Sequence, residues 1–135
     1  MTEWTRDFAP SLEEITEMAL AARAALPAAF APAAASVALI VEDFADPALL
    51  AEMQIADPFE LTGVYEGIPL PEKSVMDMPM APDTIRLFRR PILDEWVHRG
   101  DVTLNALVAH VYVHELAHHF GWSDDDIAAI DEWWT

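Results

Sequence analysis

The chain has 135 residues, of which 53% are hydrophobic, so it can bury the core of one compact domain spanning residues 1–135. Its formal net charge is −17, and a surface of that sign repels the phosphates of nucleic acids and anionic membrane headgroups. We therefore expect neither nucleic acid nor membrane as a partner. The absence of cysteine excludes disulfides and thiolate metal ligands, and the cytoplasm is the default location.

The first predicted element is a helix near the N-terminus. Ser11 and Glu14 have the spacing of a capping box, in which each residue bonds the backbone of the other. This pattern predicts a helix from Ser11 to about Leu26, where Pro27 follows. Pro27 and Pro32 then bound a connection that leads to the first strand.

A strand, a short helix and a second strand follow. The apolar run Val37–Val41 suits a central strand. Asp46 followed by Pro47 is typical of a helix N-terminus and predicts a short helix to about Met53. Leu61–Tyr65 has the composition of another strand.

The second half is predicted to contain a loop, a third strand and two helices. Residues 69–82 are rich in proline and methionine without a clear period, which indicates a loop. Thr84–Arg89 is predicted as the third strand, and Ile92–His98 as a helix that ends near Gly100. The last long helix begins at about Thr103. Together the elements predict a single α+β domain, with a small mixed sheet packed against helices.

The most informative segment lies on that last helix and reads HELAHHFGWSD. His114 and His118 are four residues apart, so they stand one turn apart on the same face and can converge on one metal ion. Glu115 stays on the same side, where its carboxylate can reach a metal-bound water without being a ligand. The spacing therefore predicts a catalytic zinc site with Glu115 as the base.

A catalytic zinc needs a third protein ligand and one open position. Gly121 can adopt a positive φ at little cost, ending the helix and turning the chain back. Asp124 then arrives six residues after His118 and is the predicted third ligand. Asp124 could instead stabilise the first turn of a C-terminal helix, where the helix dipole favours acidic residues. In that case Asp125 and Glu132 are the next candidates for the third ligand.

The segment resembles the motif HExxHxxGxxD of the short bacterial zincin-like metallopeptidases. Val64–Leu70 and Ile85–Ile92 are also similar to that family, and the resemblance covers most of Leu61–Ile130. It implies a minimal zincin fold, a bound Zn²⁺ and hydrolysis of a peptide or small protein. It also implies the ligands His114, His118 and Asp124 with the base Glu115.

Zincins hold an extended substrate against an edge strand, so Leu61–Tyr65 or Thr84–Arg89 could pair with a peptide backbone. Tyr65 is a candidate donor to an oxyanion, with core packing as its alternative. Arg89 and Arg90 are candidates for a substrate carboxylate or an oxyanion, or they neutralise nearby surface acids.

Two further histidines on the last helix are open to interpretation. His110 lies about 12 Å along the helix from His118, which is too far to share an ion, so it should support or pack against the site. His119 points about 100° away from His118 and could bond to a carboxylate or face solvent.

The sequence leaves two functions open. One is a zinc peptidase that hydrolyses peptide bonds through an activated water. The other is a zinc-binding interaction module, or an inactive relative, in which the metal is structural and the acidic surface meets a basic partner. Neither the substrate preference nor the oligomeric state follows from the residues.

Overall fold

The computed structural model describes residues 9–68 and 83–122. In these residues the fold is α+β, as predicted, with five helices and a three-stranded mixed sheet. The elements are α1 (Leu12–Ala24), α2 (Ala31–Ala35), β1 (Ala38–Glu42), α3 (Pro47–Glu52), β2 (Gly63–Glu66), β3 (Thr84–Phe88), α4 (Arg89–Arg99) and α5 (Leu104–His119), and a 3₁₀ turn spans Pro58–Glu60.

The helix α1 begins with the predicted capping box. The Ser11 hydroxyl accepts from the backbone N–H of Glu14 at 3.1 Å, and the Glu14 carboxylate accepts from the N–H of Ser11 at 2.8 Å. The helix ends at Ala24, two residues before the predicted end, because the ring of Pro27 disfavours helical dihedrals at the residue that precedes it. The short helix α2, which was not predicted, forms inside the connection.

The order of strands in the sheet is β1-β3-β2, with β1 parallel and β2 antiparallel to β3. The prediction of a central strand at Val37–Val41 is wrong for the described part of the chain, where β1 lies at an edge. An apolar run indicates that a strand contacts the core, but it does not indicate how many other strands pair with it. Ile40, in the middle of β1, is 38% exposed. The suggestion that Thr84–Arg89 is an edge strand is also wrong, because β3 pairs with β1 on one side and with β2 on the other.

The strand β3 passes directly into α4. The strand ends at Phe88 and the helix begins at Arg89, whereas the sequence predicted a strand to Arg89 and a helix only from Ile92. Pro91 is the third residue of α4, where its missing N–H is tolerated because the first N–H groups of a helix have no intrahelical acceptor. Gly100 ends α4 as predicted, with a φ of 73°.

The helix α5 lies at the centre of the core. Its N-terminus is capped by Thr103, whose hydroxyl accepts from the N–H of Ala106 at 3.1 Å. One face packs against α1 and the sheet and carries an apolar stripe, which Tyr112 and Leu116 extend. That stripe is buried except at its end, where Phe120 is half-buried; its buried members are Leu104, Leu107, Val108 and Val111.

The edge strand β2 lies against α5 at an unusually short distance. A Cβ atom added to Gly63 would lie 2.9 Å from Cγ1 of Val111 and 3.2 Å from Cδ2 of Leu87, so a larger residue would displace the strand. Val111 is one turn before His114, and Gly63 therefore brings an edge strand beside the motif.

None of the helices in residues 9–68 and 83–122 has the combination of length and hydrophobicity that crossing a bilayer requires.

Candidate metal site

The two histidines of the motif face each other on α5. The ring centroids of His114 and His118 are 5.2 Å apart, with an angle of 78° between the ring planes. Two imidazoles bound to one tetrahedral zinc at 2.0–2.1 Å would have centroids roughly 5 Å apart. The observed separation therefore fits two ligands of a single ion.

The end of α5 orients His118. Gly121 has a φ of 84°, its N–H bonds to the carbonyl of His118 at 2.9 Å, and the N–H of Trp122 bonds to the carbonyl of Ala117 at 3.0 Å. These two bonds form a Schellman motif, which folds the chain back over the helix end as predicted for Gly121. The carbonyl of Trp122 consequently lies 3.2 Å from Nδ1 of His118.

This contact determines which nitrogen of His118 can bind a metal. A carbonyl oxygen only accepts hydrogen bonds, so Nδ1 of His118 carries the hydrogen and donates it to Trp122. The lone pair of the neutral ring is then on Nε2. Metal-binding histidines in proteins are commonly held in this way, with the second nitrogen bonded to a carbonyl or carboxylate.

A cleft with a volume of about 200 Å³ runs beside the motif. His114 and Glu115 both line it, so the predicted ligand and the predicted base open onto the same space. The other lining residues in the described part of the chain come from β2, α4 and α5, or directly precede them: Thr62, Glu95, His110 and Val111. The ring of His110 lies 6.4 Å from that of His114, so His110 is a neighbour of a predicted ligand.

The predicted third ligand, Asp124, lies outside the described residues, as do its alternatives Asp125 and Glu132. Among residues 9–68 and 83–122, no three acidic or histidine side chains are grouped so that they could hold a metal. The described part of the site therefore consists of two histidines and a glutamate, and the third ligand stays a prediction.

The family model of the zincin-like metallopeptidases matches residues 34–134, about three-quarters of the chain. The chain belongs to the zincin-like metallopeptidase family. The match confirms the resemblance drawn from the motif and the expected minimal zincin-like fold, and it associates the chain with zinc-binding hydrolases. No curated protein matches the chain.

In this zincin-like domain, a cluster of three polar side chains lies next to the histidine pair, on another face of α5. The hydroxyl of Tyr65 is 2.9 Å from Oδ2 of Asp83 and 2.9 Å from Nδ1 of His119, and Asp83 Oδ2 is 3.1 Å from the same nitrogen. Of the two alternatives left open for His119, the carboxylate is confirmed and solvent is wrong, since His119 is only 2% exposed. We call these three residues the Asp83 cluster.

The Asp83 cluster also determines the surroundings of Tyr65. Burial, the hydrogen bond to Asp83 and the charge of that carboxylate raise the pKa of Tyr65. In this structure the Tyr65 hydroxyl is therefore engaged in hydrogen bonds with Asp83 and His119. Its contact with a substrate stays a prediction. The contact between Asp83 and His119 was not predicted, because nothing in the sequence near residue 83 indicates a partner on α5.

The two candidate arginines lie at the start of α4 and do not line the described part of the cleft. Arg89 donates to the carbonyl of Pro10, and its guanidinium is 2.9 Å from Oδ1 of Asp43. Arg90 lies 5.5 Å from the ring centroid of Phe44. The contact of Arg89 with Asp43 matches the alternative in which it neutralises a nearby acid, and a role of either arginine in substrate binding stays a prediction.

Proposed function

We propose that this zincin-like protein is a zinc-dependent peptidase. His114, His118 and Asp124 would bind Zn²⁺, and Glu115 would act as the general base and then as the general acid. The observation that carries the proposal is the hydrogen bond from Nδ1 of His118 to the carbonyl of Trp122, which makes Nε2 the nitrogen that would bind a metal. The ring centroids of His114 and His118 are 5.2 Å apart, as expected for two ligands of one ion. Glu115 opens onto the same cleft as His114.

Zinc bound at this site would polarise the substrate carbonyl and lower the pKa of a bound water to around 7. Glu115 would accept a proton from that water on its carboxylate as the water attacks the carbonyl carbon. The same carboxylate would then deliver the proton to the nitrogen of the leaving amine. The hydrogen bond that His118 donates to the carbonyl of Trp122 would hold the imidazole in one orientation throughout.

The substrate in this proposal is a peptide or a small protein. β2 is an edge strand of the described sheet and lies directly against α5, so its outer edge can pair with an extended backbone near the motif. Gly63 supports this arrangement because it lets β2 approach the turn of α5 that precedes His114.

The second candidate is the zinc-binding interaction module or inactive relative. A structural zinc site is closed by four protein ligands and has no use for a carboxylate beside it. The position of Glu115 in an open cleft next to His114 therefore favours the enzyme.

The test compares the parent protein with Glu115→Gln and with the control Glu17→Gln, which removes the same charge from an exposed position on α1. Zinc content is measured by elemental analysis and hydrolysis with a broad library of peptides. We expect one zinc in all three proteins, and a loss of hydrolysis of at least about 100-fold in Glu115→Gln alone.

Two results would count against the proposal, the first against the role of Glu115 and the second against the peptidase activity. Equal hydrolysis by the parent and Glu115→Gln would exclude Glu115 as the base. Stoichiometric zinc without hydrolysis of any peptide would support the interaction module instead.

A further inference from the structure

Asp83 connects three elements of the fold through one residue. Its backbone carbonyl accepts from the N–H of Ala38 at 2.8 Å, immediately before the parallel pairing of β1 with β3. Its side chain accepts from the hydroxyl of Tyr65 on β2 and contacts His119 on α5. The sheet is thereby joined to the last turn of α5.

The hydrogen-bond directions within the Asp83 cluster follow from its geometry. The hydroxyl hydrogen of Tyr65 points to Oδ2 of Asp83, so the hydrogen between Tyr65 and His119 belongs to Nδ1 of His119. The same nitrogen, Nδ1 of His119, lies 3.1 Å from Oδ2 of Asp83. The carboxylate thus holds both partners, and its own side chain is only 11% exposed.

Asp83 is confined on its other side as well. The backbone of Gly67 packs so closely against the Asp83 side chain that a Cβ atom at position 67 would overlap it. With Gly67 on one side and the buried His119 on the other, the carboxylate has little room to move. The anchor point for His119 is therefore fixed relative to the sheet.

The position of His119 sets the rotation of the end of α5 about its own axis. His118 and His119 are consecutive and point about 100° apart. A rotation of the helix about its axis that moves His119 therefore moves His118 through the same angle. A ring lies about 6 Å from the helix axis, and a shift of about 1 Å at the ring corresponds to a rotation of about 10°. Functional sites need their side chains held to within about 0.5 Å and 10–20°.

We propose that Asp83 is a positioning residue of the metal site: by holding His119 against the sheet, it fixes the direction in which His118 faces. That zinc is bound at all is taken from the proposed function. That Asp83 positions His119 is argued from the contacts of the Asp83 cluster. A cluster that only stabilises the fold would change the free energy of unfolding and leave the zinc affinity of the folded protein unchanged.

The experiment measures zinc affinity by competition with a chelator, well below the unfolding temperature of each variant, and records thermal unfolding separately. Asp83→Asn removes the charge of the carboxylate. The matched control is Glu66→Gln on β2, which removes a carboxylate that bonds Arg86 at 2.7 Å and has no part in the Asp83 cluster. We expect zinc affinity to fall about tenfold in Asp83→Asn and to stay within about twofold of the parent in Glu66→Gln.

A second pair of variants covers the case in which Asp83→Asn does not fold. His119→Asn keeps an N–H donor near the position of Nδ1, whereas His119→Leu removes it. We expect His119→Asn to retain most of the zinc affinity and His119→Leu to lose it as Asp83→Asn does. A folded Asp83→Asn with unchanged affinity, or equal affinities of the two His119 variants, overturns the proposal.

The same measurements separate this proposal from the proposed function. Zinc binding that depends on Asp83, without hydrolysis by the parent, supports the positioning role and refutes the peptidase. Hydrolysis by the parent with unchanged zinc affinity in Asp83→Asn refutes the positioning role alone. A parent protein that binds no zinc refutes both.

Discussion

Nδ1 of His118 lies 3.2 Å from the carbonyl oxygen of Trp122, so the residues that end α5 also orient a predicted zinc ligand. The link between them is Gly121, whose left-handed conformation turns the chain back over the helix. Helix termination and the direction of His118 therefore depend on the same backbone dihedral angles, and a change at Gly121 should affect both.

Gly121→Ala should destabilise the protein and weaken zinc binding. A φ of 84° costs an L-residue about 1–2 kcal/mol, and relief of that strain would move the Trp122 carbonyl away from His118. The control is Gly100→Ala, because Gly100 has a similar φ of 73° at the end of α4 and a Cβ there meets nothing within 4 Å. We expect urea denaturation to show a similar loss in both variants, and chelator competition to show weaker zinc binding only in Gly121→Ala. Equal zinc affinities in the two variants would contradict the role of Gly121.

Gly63→Ala should destabilise the fold through contact with α5. The added methyl group would meet Val111 at 2.9 Å, and overpacking of this kind costs about 1–3 kcal/mol. Val111→Ala creates space at the same point, so the double variant should be more stable than the sum of the two single effects predicts. Urea denaturation of the four proteins gives the coupling free energy. Additive effects would show that β2 and α5 are not in close contact here.

Tyr112→Phe should leave the stability at neutral pH unchanged or raise it. The Tyr112 side chain is 1% exposed, and its hydroxyl has no hydrogen-bond partner within the described residues. Removing a buried hydroxyl that lacks a partner avoids a desolvation cost of about 1 kcal/mol or more. Tyr65→Phe is the contrasting variant, since it removes a hydroxyl bonded to Asp83 and should lower the stability. A large loss of stability in Tyr112→Phe would indicate a partner for that hydroxyl.

The two tyrosines also predict how stability depends on alkaline pH. Burial raises the pKa of Tyr112 above its ordinary value of 10.0, and burial together with Asp83 raises that of Tyr65. The unfolded chain therefore loses these protons first, so the stabilisation is complete below about pH 10 and is lost as the pH rises above it. In Tyr112→Phe, the slope of the unfolding free energy against pH above 10 should become shallower by up to about 1.4 kcal/mol per pH unit. An unchanged slope would exclude this linkage.

Arg86→Met should destabilise the sheet in a way that depends on salt. The guanidinium of Arg86 on β3 lies 2.7 Å from Glu66 on β2 and 3.2 Å from Glu42 on β1, so it bridges both edge strands. Its removal leaves two carboxylates on one face of a chain with a net charge of −17. We expect a loss of about 1–2 kcal/mol at low salt and a smaller loss at high salt. The triple variant with Glu42→Gln and Glu66→Gln should recover part of that loss, and failure to recover would exclude charge repulsion as the cause.

The parts of this protein that sequence analysis predicted correctly are governed by contacts between residues a few positions apart. The capping box at Ser11 and the ends at Gly100 and Gly121 depend on backbone groups within one or two turns. That the rings of His114 and His118 face each other depends only on the pitch of a helix. Such features have a fixed spacing along the chain, and for that reason the sequence displays them.

The tertiary structure decided what depends on distant partners. Asp83 meets Tyr65 from 18 positions away and His119 from the far end of α5, and no spacing in the sequence records either contact. The order of the strands, with Thr84–Phe88 in the centre, likewise depends on which backbone edges meet after folding. The sequence by itself determined the helix ends and the spacing of the histidine pair and its glutamate, because these follow from local geometry. Only the packing of α5 against the sheet decided which residues surround that pair.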